Sequence, residues 1–176
     1  KLNQDLDIIV EGEVFMPKSV FKELNKLQKK KGEEEYANPR NFAAGTLRQL
    51  DAKMVAERKL DAFIYDIASI SSPPETQEKE LEFLKELGFK VNPYFKLCHD
   101  IEEVIKYWES WEKKKENLDY LIDGVVVKVN ERDFQEKLGY TGKAPRFGIA
   151  LKFKAEQVTT VVEDIVLQVG RTGVLT

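Results

Sequence analysis

The 176-residue chain is 42% hydrophobic and 10% aromatic, enough to bury a sizeable core in one domain or one and a half. Its 28 Lys and Arg against 31 Asp and Glu give a net charge of -3, which excludes a histone-like protein but not a nucleic-acid binder with a local basic face. One cysteine, Cys98, and one histidine, His99, exclude an intramolecular disulfide and a Cys/His metal cluster within these residues and suit a reducing cytosol; no apolar run nears the roughly 18 residues of a membrane helix.

The elements follow in order. Asp7 to Phe15, rich in Ile and Val, predicts a strand. Pro17 opens a helix at its first position, with Val20, Phe21, Leu24 and Leu27 as its apolar stripe and Gly32 as its stop. Ala37 to Asp51 reads as a loop running into a short helix, and Leu60 to Ala68 as a second strand. A two-proline turn, Ser71 to Pro74, precedes a helix with Leu81, Leu84 and Leu87 on one face, closed by Gly88. Phe89 to Leu97 reads as extended.

Asp100 caps the next helix, with Glu103 as its box partner and Ile101, Val104, Ile105, Trp108 and Trp111 as its stripe. Leu121 to Asn130 predicts a strand, Glu131 to Leu138 a short helix stopped by Gly139, and the text from Phe147 onward further strands, with turns at Gly170 and Gly173. The alternation is irregular, so it predicts a mixed α+β fold rather than a βαβ series. Lys1 rather than Met at the start, and an end at Thr176 in mid-element, suggest a fragment.

Most charges read as solvated surface. Lys26, Lys29, Lys30 and Lys31 sit at a helix end, where they favour the dipole, and Lys113 and Lys114 read the same way. Adjacent Cys98 and His99 point to opposite faces of an extended segment, which disfavours a catalytic pair, and Trp108 and Trp111 read as core.

Four places resist that reading. Glu13 shares a strand face with Ile9 and Phe15, which on a one-sided sheet is the core face; a carboxylate there is costly unless paired or functional, and a water-facing edge position is the alternative. In "YANPRNFAAGTLRQLD", Arg40 and Arg48 lie eight residues apart, about two helical turns, among small residues. Two guanidiniums on one face suit a phosphate or carboxylate, and salt bridges to Asp51 and Glu35 are the structural alternative. In "LIDGVVVKVN", Lys128 lies among valines and needs an anionic partner, such as a phosphate; Asp123 reaches the same site only if Asp123-Gly124 forms a turn or bulge. In "KAPRFGIALKFKAEQ", Lys152 and Lys154 share one side of a strand and Phe153 takes the other.

With these segments assembled, the chain resembles the nucleotidyltransferase (adenylation) domain of the bacterial NAD-dependent DNA ligases. "EGEVFMP" resembles motif III, "NPRNFAAGTLRQLD" the family's arginine segment, "LDAFIYDI" motif IIIa, "IDGVVVKVN" motif IV and "APRFGIALKFKAE" motif V. "VEDIVLQVGRTGVLT" resembles the opening of the oligonucleotide-binding barrel that follows. There are departures. The motif I Lys-x-Asp-Gly that carries the adenylated lysine is absent; Lys59-Leu60-Asp61-Ala62 mimics it but ends in Ala, stands between motifs III and IIIa, and reads as a strand start. The N-terminal NAD-recognising domain, zinc finger, helix-hairpin-helix and BRCT modules are not in this sequence. Lys115 replaces a family arginine, and Lys154 a family proline, which makes "KFK" resemble ATP-dependent ligases and capping enzymes.

The resemblance implies a largely antiparallel α+β domain over 1–158 and a barrel start over 159–176. It implies part of a cytoplasmic, monomeric enzyme of DNA repair and replication that adenylates itself from NAD with Mg²⁺ and seals 5′-phosphate/3′-hydroxyl nicks in duplex DNA, without membrane contact. This segment alone, without motif I, is expected to be inactive. Glu13 would contact ribose or support the nucleophile, Tyr65 would stack on adenine, Arg40 would bind NAD phosphate and Arg48 the DNA backbone. Asp123 would lie on the phosphate or metal side, and Lys128 and Lys152 would hold the α-phosphate. A non-catalytic nucleotide- or DNA-binding module and an ATP-dependent nucleotidyltransferase are the alternatives.

Overall fold

The computed structural model describes residues 2–142, 144–154 and 159–175. Lys1, the 155–156 end of the motif V stretch, the boundary at 158 and Thr176 lie outside them. The elements are β1 (Ile8–Phe15), α1 (Lys18–Lys31), α2 (Pro39–Leu47), α3 (Ala52–Glu57), β2 (Asp61–Ile70), α4 (Gln77–Glu86), α5 (Ile101–Lys114), β3 (Gly124–Lys128), α6 (Arg132–Leu138), β4 (Tyr140–Thr141), β5 (Ala144–Pro145) and β6 (Gly148–Lys152). Among the described residues, the strands form three two-stranded antiparallel sheets, β1–β2, β3–β6 and β4–β5, so the α+β, antiparallel expectation holds. Residues 159–175 carry one isolated bridge, Val169 to Leu175, and no sheet of a barrel.

The core sits where α4 lies on β2. Leu84 is fully buried beside Ile67 and Val91, and Ile8, Val10, Ile64 and Leu81 pack around them. This fixes the faces of β1: Ile8 and Val10 point inward, Ile9 is 60% exposed, and Glu13 is exposed. The face that Glu13 shares with Ile9 is therefore not the core face, and Glu13 is the water-facing carboxylate of the alternative reading.

Several boundaries differ from expectation for local reasons. Pro17 is the cap of α1 rather than its first helical residue; its ψ of 138° is extended, and Gly32 closes the helix with φ 73°. Pro39 instead takes the first helical position, behind Asn38, whose side chain accepts from the Arg40 and Asn41 amides. Asp51 starts a further helix, α3, by accepting from Lys53 and Met54. Residues 89–97 form no strand: Asn92-Pro93 turns the chain, with the Asn92 Oδ1 accepting from the Tyr94 amide at 3.0 Å, and only Lys90 O pairs with β2, through Ile64 N at 2.9 Å. On α5 the buried side runs through Val104, Tyr107, Trp108 and Trp111, while Ile101 and Ile105 are exposed. The Glu103 carboxylate accepts from the His99 amide at 3.1 Å, one residue earlier than a standard capping box.

α1 has no cap of its own side chains. Asp119, a hundred residues away, supplies it: Oδ1 accepts from Ser19 N at 2.8 Å and Oδ2 from Ser19 Oγ at 2.6 Å. The Ser19 hydroxyl holds the Asp119 carboxyl below its usual range. Asp119→Ala is expected to cost about 1 kcal/mol, the usual loss for a helix cap. The sign follows from the depressed value: the cap's contribution is complete above the ordinary aspartate value of 3.8 and is lost as pH falls through the lower folded one. Urea unfolding of both proteins should show a gap at neutral pH that closes in acid.

Candidate functional site

The site begins with an irregularity in the β1–β2 ladder. Glu11 pairs with Asp66 but Gly12 pairs with Ile64, so Tyr65 has no partner across the strand. This is a β-bulge, which re-aims the side chains beside it. In a regular strand, Tyr65 and Asp66 would face opposite ways. Here both meet one ammonium: Lys128 Nζ lies 2.5 Å from Asp66 Oδ2 and 5.5 Å from the centre of the Tyr65 ring. Gly12 makes room for this crossing, since a Cβ there would stand 2.6 Å from the Phe63 carbonyl oxygen.

Lys128 comes from β3, opposite Gly148 of β6. The register continues Val126 to Ala150 and Gly124 to Lys152. Residues directly opposite in an antiparallel pair share a face, and so do alternate residues along each strand. Lys128 and Lys152 therefore lie on the same sheet face, at opposite corners, about 13 Å apart along the strand at the usual rise per residue. Between them the face carries Gly148, Ala150, Gly124 and one larger side chain, Val126, which is 70% exposed. Gly124 is needed for the close pairing, because a Cβ would stand 2.7 Å from Lys152 Cα. The arrangement is a floor of small residues with a cation at each end.

The two lysines differ in setting. Lys128 is the enclosed one, as the valine run predicts, and the carboxylate it meets is Asp66. Lys152 is not enclosed: its side chain is 68% exposed and lies 3.3 Å from Asp123 Oδ2. Phe153 points the other way and is buried against Trp108, with ring centres 6.1 Å apart. Lys154 falls past the end of β6 and does not extend the Lys152 row within the strand, while Lys115 Nζ sits 5.1 Å over the Phe153 ring. Asp123 sits in the bend just before β3, and it and Lys128 belong to different ion pairs.

Tyr65 is 42% exposed, and its hydroxyl is raised above the ordinary tyrosine value by burial first and then by Glu11, Glu13 and Asp66. Glu13 therefore belongs to the tyrosine's surroundings. Behind Asp66 lies Glu80, only 2% exposed. Its Oε1 accepts from the Ile67 amide at 3.0 Å and from Gln77 Nε2 at 3.2 Å, and its Oε2 pairs with the Arg132 guanidinium. Burial raises the Glu80 carboxyl, the Asp66 charge adds to this, and the Ile67 amide and Arg132 oppose it. Two ion pairs, Lys128–Asp66 and Arg132–Glu80, thus anchor β2, one at its exposed face and one at the buried end of α4.

Arg40 and Arg48 stand at the two ends of α2, both exposed. Among the described residues neither forms an ion pair, so the salt bridges to Asp51 and Glu35 are not made. No hydrogen bond among the described residues joins them to Lys128, Lys152 or Tyr65. α2 is fixed by a residue the sequence reading passed over: Arg58 donates to the buried Thr46 hydroxyl at 2.9 Å and lies 4.7 Å over the Phe42 ring. Asp66 was equally legible as a carboxylate inside an apolar strand; the bulge that puts Tyr65 beside it was not.

No helix of the described residues is long and apolar enough to cross a membrane. Residues 1–156 match the model of the NAD-dependent DNA ligase adenylation domain. The chain is 55% identical over its whole length to a DNA ligase of Thermotoga petrophila, covering 26% of that protein. It is 51% identical to DNA ligases of Halalkalibacterium halodurans and Bacillus cytotoxicus, again over its whole length and 26% of theirs. The chain thus spans about a quarter of the curated relatives it matches.

Proposed function

This chain belongs to the NAD-dependent DNA ligase adenylation-domain family, and we propose that it is the nucleotide-handling part of an enzyme that adenylates itself from NAD and seals nicks in duplex DNA. The observation that carries this reading is the sheet face with Lys128 and Lys152 at its corners and Tyr65 beside Lys128. A lysine of a Lys-x-Asp-Gly motif, which this sequence does not contain, attacks the α-phosphate and releases nicotinamide mononucleotide. The AMP passes to a DNA 5′-phosphate, and a 3′-hydroxyl displaces it. This chain's residues supply position and charge. Lys128 and Lys152 neutralise the α-phosphate, Tyr65 stacks on adenine and Glu13 contacts the ribose. Arg40 binds NAD phosphate and Arg48 the DNA backbone.

Among the described residues no three carboxylate, His or Cys side chains converge into a metal cage. Mg²⁺ is commonly held by substrate phosphates with one or two carboxylates; Asp123 is the exposed carboxylate that would take that part, and the ion would add positive charge at the phosphate oxygens. The intact protein is a cytoplasmic monomer of DNA repair and replication, with a nucleotidyltransferase unit over 1–158 and a barrel starting at 159. The test is sealing of a labelled nicked duplex by the full-length protein with NAD and Mg²⁺; no sealed product would reject the reading. The segment alone should form no AMP adduct with labelled NAD or ATP, since Lys59 sits in a left-handed turn, φ 47°, ahead of a strand. An adduct anywhere on it would contradict this.

Tyr65→Ala is expected to weaken adenine-nucleotide binding by about 1–3 kcal/mol, the worth of one base–aromatic contact. The ring is partly exposed, so the melting temperature should move little. Unchanged affinity with a sharply lower melting temperature would make Tyr65 a packing residue.

A further inference from the structure

Lys128 is enclosed but already paired, and its partner stands on a different sheet from its own. Asp66 pairs with Glu11 on the face turned away from core Ile67, and the bulge leaves Tyr65 beside it on that same side. A lysine side chain has four rotatable bonds, and its neighbours on this face, Gly148, Ala150, Gly124 and Val126, carry no side-chain acceptor to orient its ammonium. We propose that Asp66 is a positioning residue: it fixes the Lys128 ammonium beside the Tyr65 ring, aimed along the small-residue floor, so that the charge is in place when the phosphate arrives. An ammonium has three donors, and the Asp66 bond leaves others for phosphate oxygens.

This rests on the phosphate role given to Lys128 above, and it makes a specific demand. Asp66 brings a negative charge close to where the phosphate binds. It should therefore not help ground-state binding, and its benefit should lie in the rate at saturation.

The experiment is single-turnover AMP transfer from labelled NAD to the full-length protein, over a range of NAD concentrations, for wild type, Asp66→Asn, Asp66→Glu and Lys128→Ala, with melting temperatures as the check on folding. Asp66→Asn keeps the shape and removes the charge. It is expected to lower the saturating rate about tenfold or more, the scale of a misplaced group, without raising the NAD concentration at half-saturation. Asp66→Glu, which keeps the charge, should be faster than Asp66→Asn. A wild-type saturating rate in Asp66→Asn, a loss confined to half-saturation, or an Asp66→Glu no faster than Asp66→Asn would overturn the assignment while leaving the role of Lys128 standing. A wild-type rate in folded Lys128→Ala would remove the role of Lys128 itself, and the assignment with it.

Discussion

Lys128→Ala, in the full-length protein that carries this segment, is expected to slow single-turnover adenylation by about a hundredfold or more, while Lys113→Ala leaves it nearly unchanged. The difference comes from environment. Lys128 is held at a fixed point by Asp66, beside Tyr65, on a face that otherwise carries Gly148, Ala150, Gly124 and the exposed Val126 and Lys152. A positive charge fixed before the reaction stabilises charge developing at phosphorus without reorganising. Lys113 lies exposed in the last turn of α5, where water solvates it and the helix dipole favours it. Lys152→Ala is expected to show a loss of the same order as Lys128→Ala, although its exposed side chain must be drawn in by the ligand. Circular dichroism checks that each variant folds. Near-equal rates for Lys128→Ala and Lys113→Ala would make Lys128 a structural lysine.

Arg132→Ala is expected to destabilise the chain by about 3–5 kcal/mol, because it leaves Glu80 buried without its guanidinium. Arg132 also donates to the Pro74 carbonyl at 2.9 Å, so the same change loosens the turn before α4. Glu80→Gln should cost less, since a neutral amide still accepts from the Ile67 amide. The pH dependence has a definite sign. The folded Glu80 carboxyl lies above its ordinary value of 4.5, so the folded state holds its proton more tightly than the unfolded chain. Stability therefore falls as pH rises from 4.5 to that raised value. In Arg132→Ala the carboxyl rises further, and its penalty should shrink as pH is lowered toward 4.5. Denaturant unfolding followed by tryptophan fluorescence measures both effects.

Much of this architecture was legible in the sequence, because its local signals and tertiary needs agree. Apolar periodicity and terminal glycines placed α1, α4 and α6, and the valine run placed β3. The pairing of Lys152 and Phe153 on opposite faces followed from strand alternation alone. What stayed hidden depends on contacts far along the chain. The inward face of β1 is decided by α4 packing on β2, which put Glu13 in water. The exposed setting of Lys152 and the enclosed one of Lys128, on one face of one sheet, differ by what packs beside each end. The bulge at Tyr65 leaves no trace in residue order, yet it puts Tyr65 on the side where Asp66 meets Lys128. Arg132 sits 52 residues from Glu80, and no periodicity links them.

The most direct measurement is covalent AMP transfer to the full-length protein from NAD labelled in its adenylate, set beside ATP labelled at its α-phosphate, both with Mg²⁺. The expected result is an AMP–protein adduct from NAD, none from ATP, and strong slowing in folded Lys128→Ala. An adduct from ATP instead of NAD, or one that forms from NAD equally fast in Lys128→Ala, would contradict the site and the function built on it.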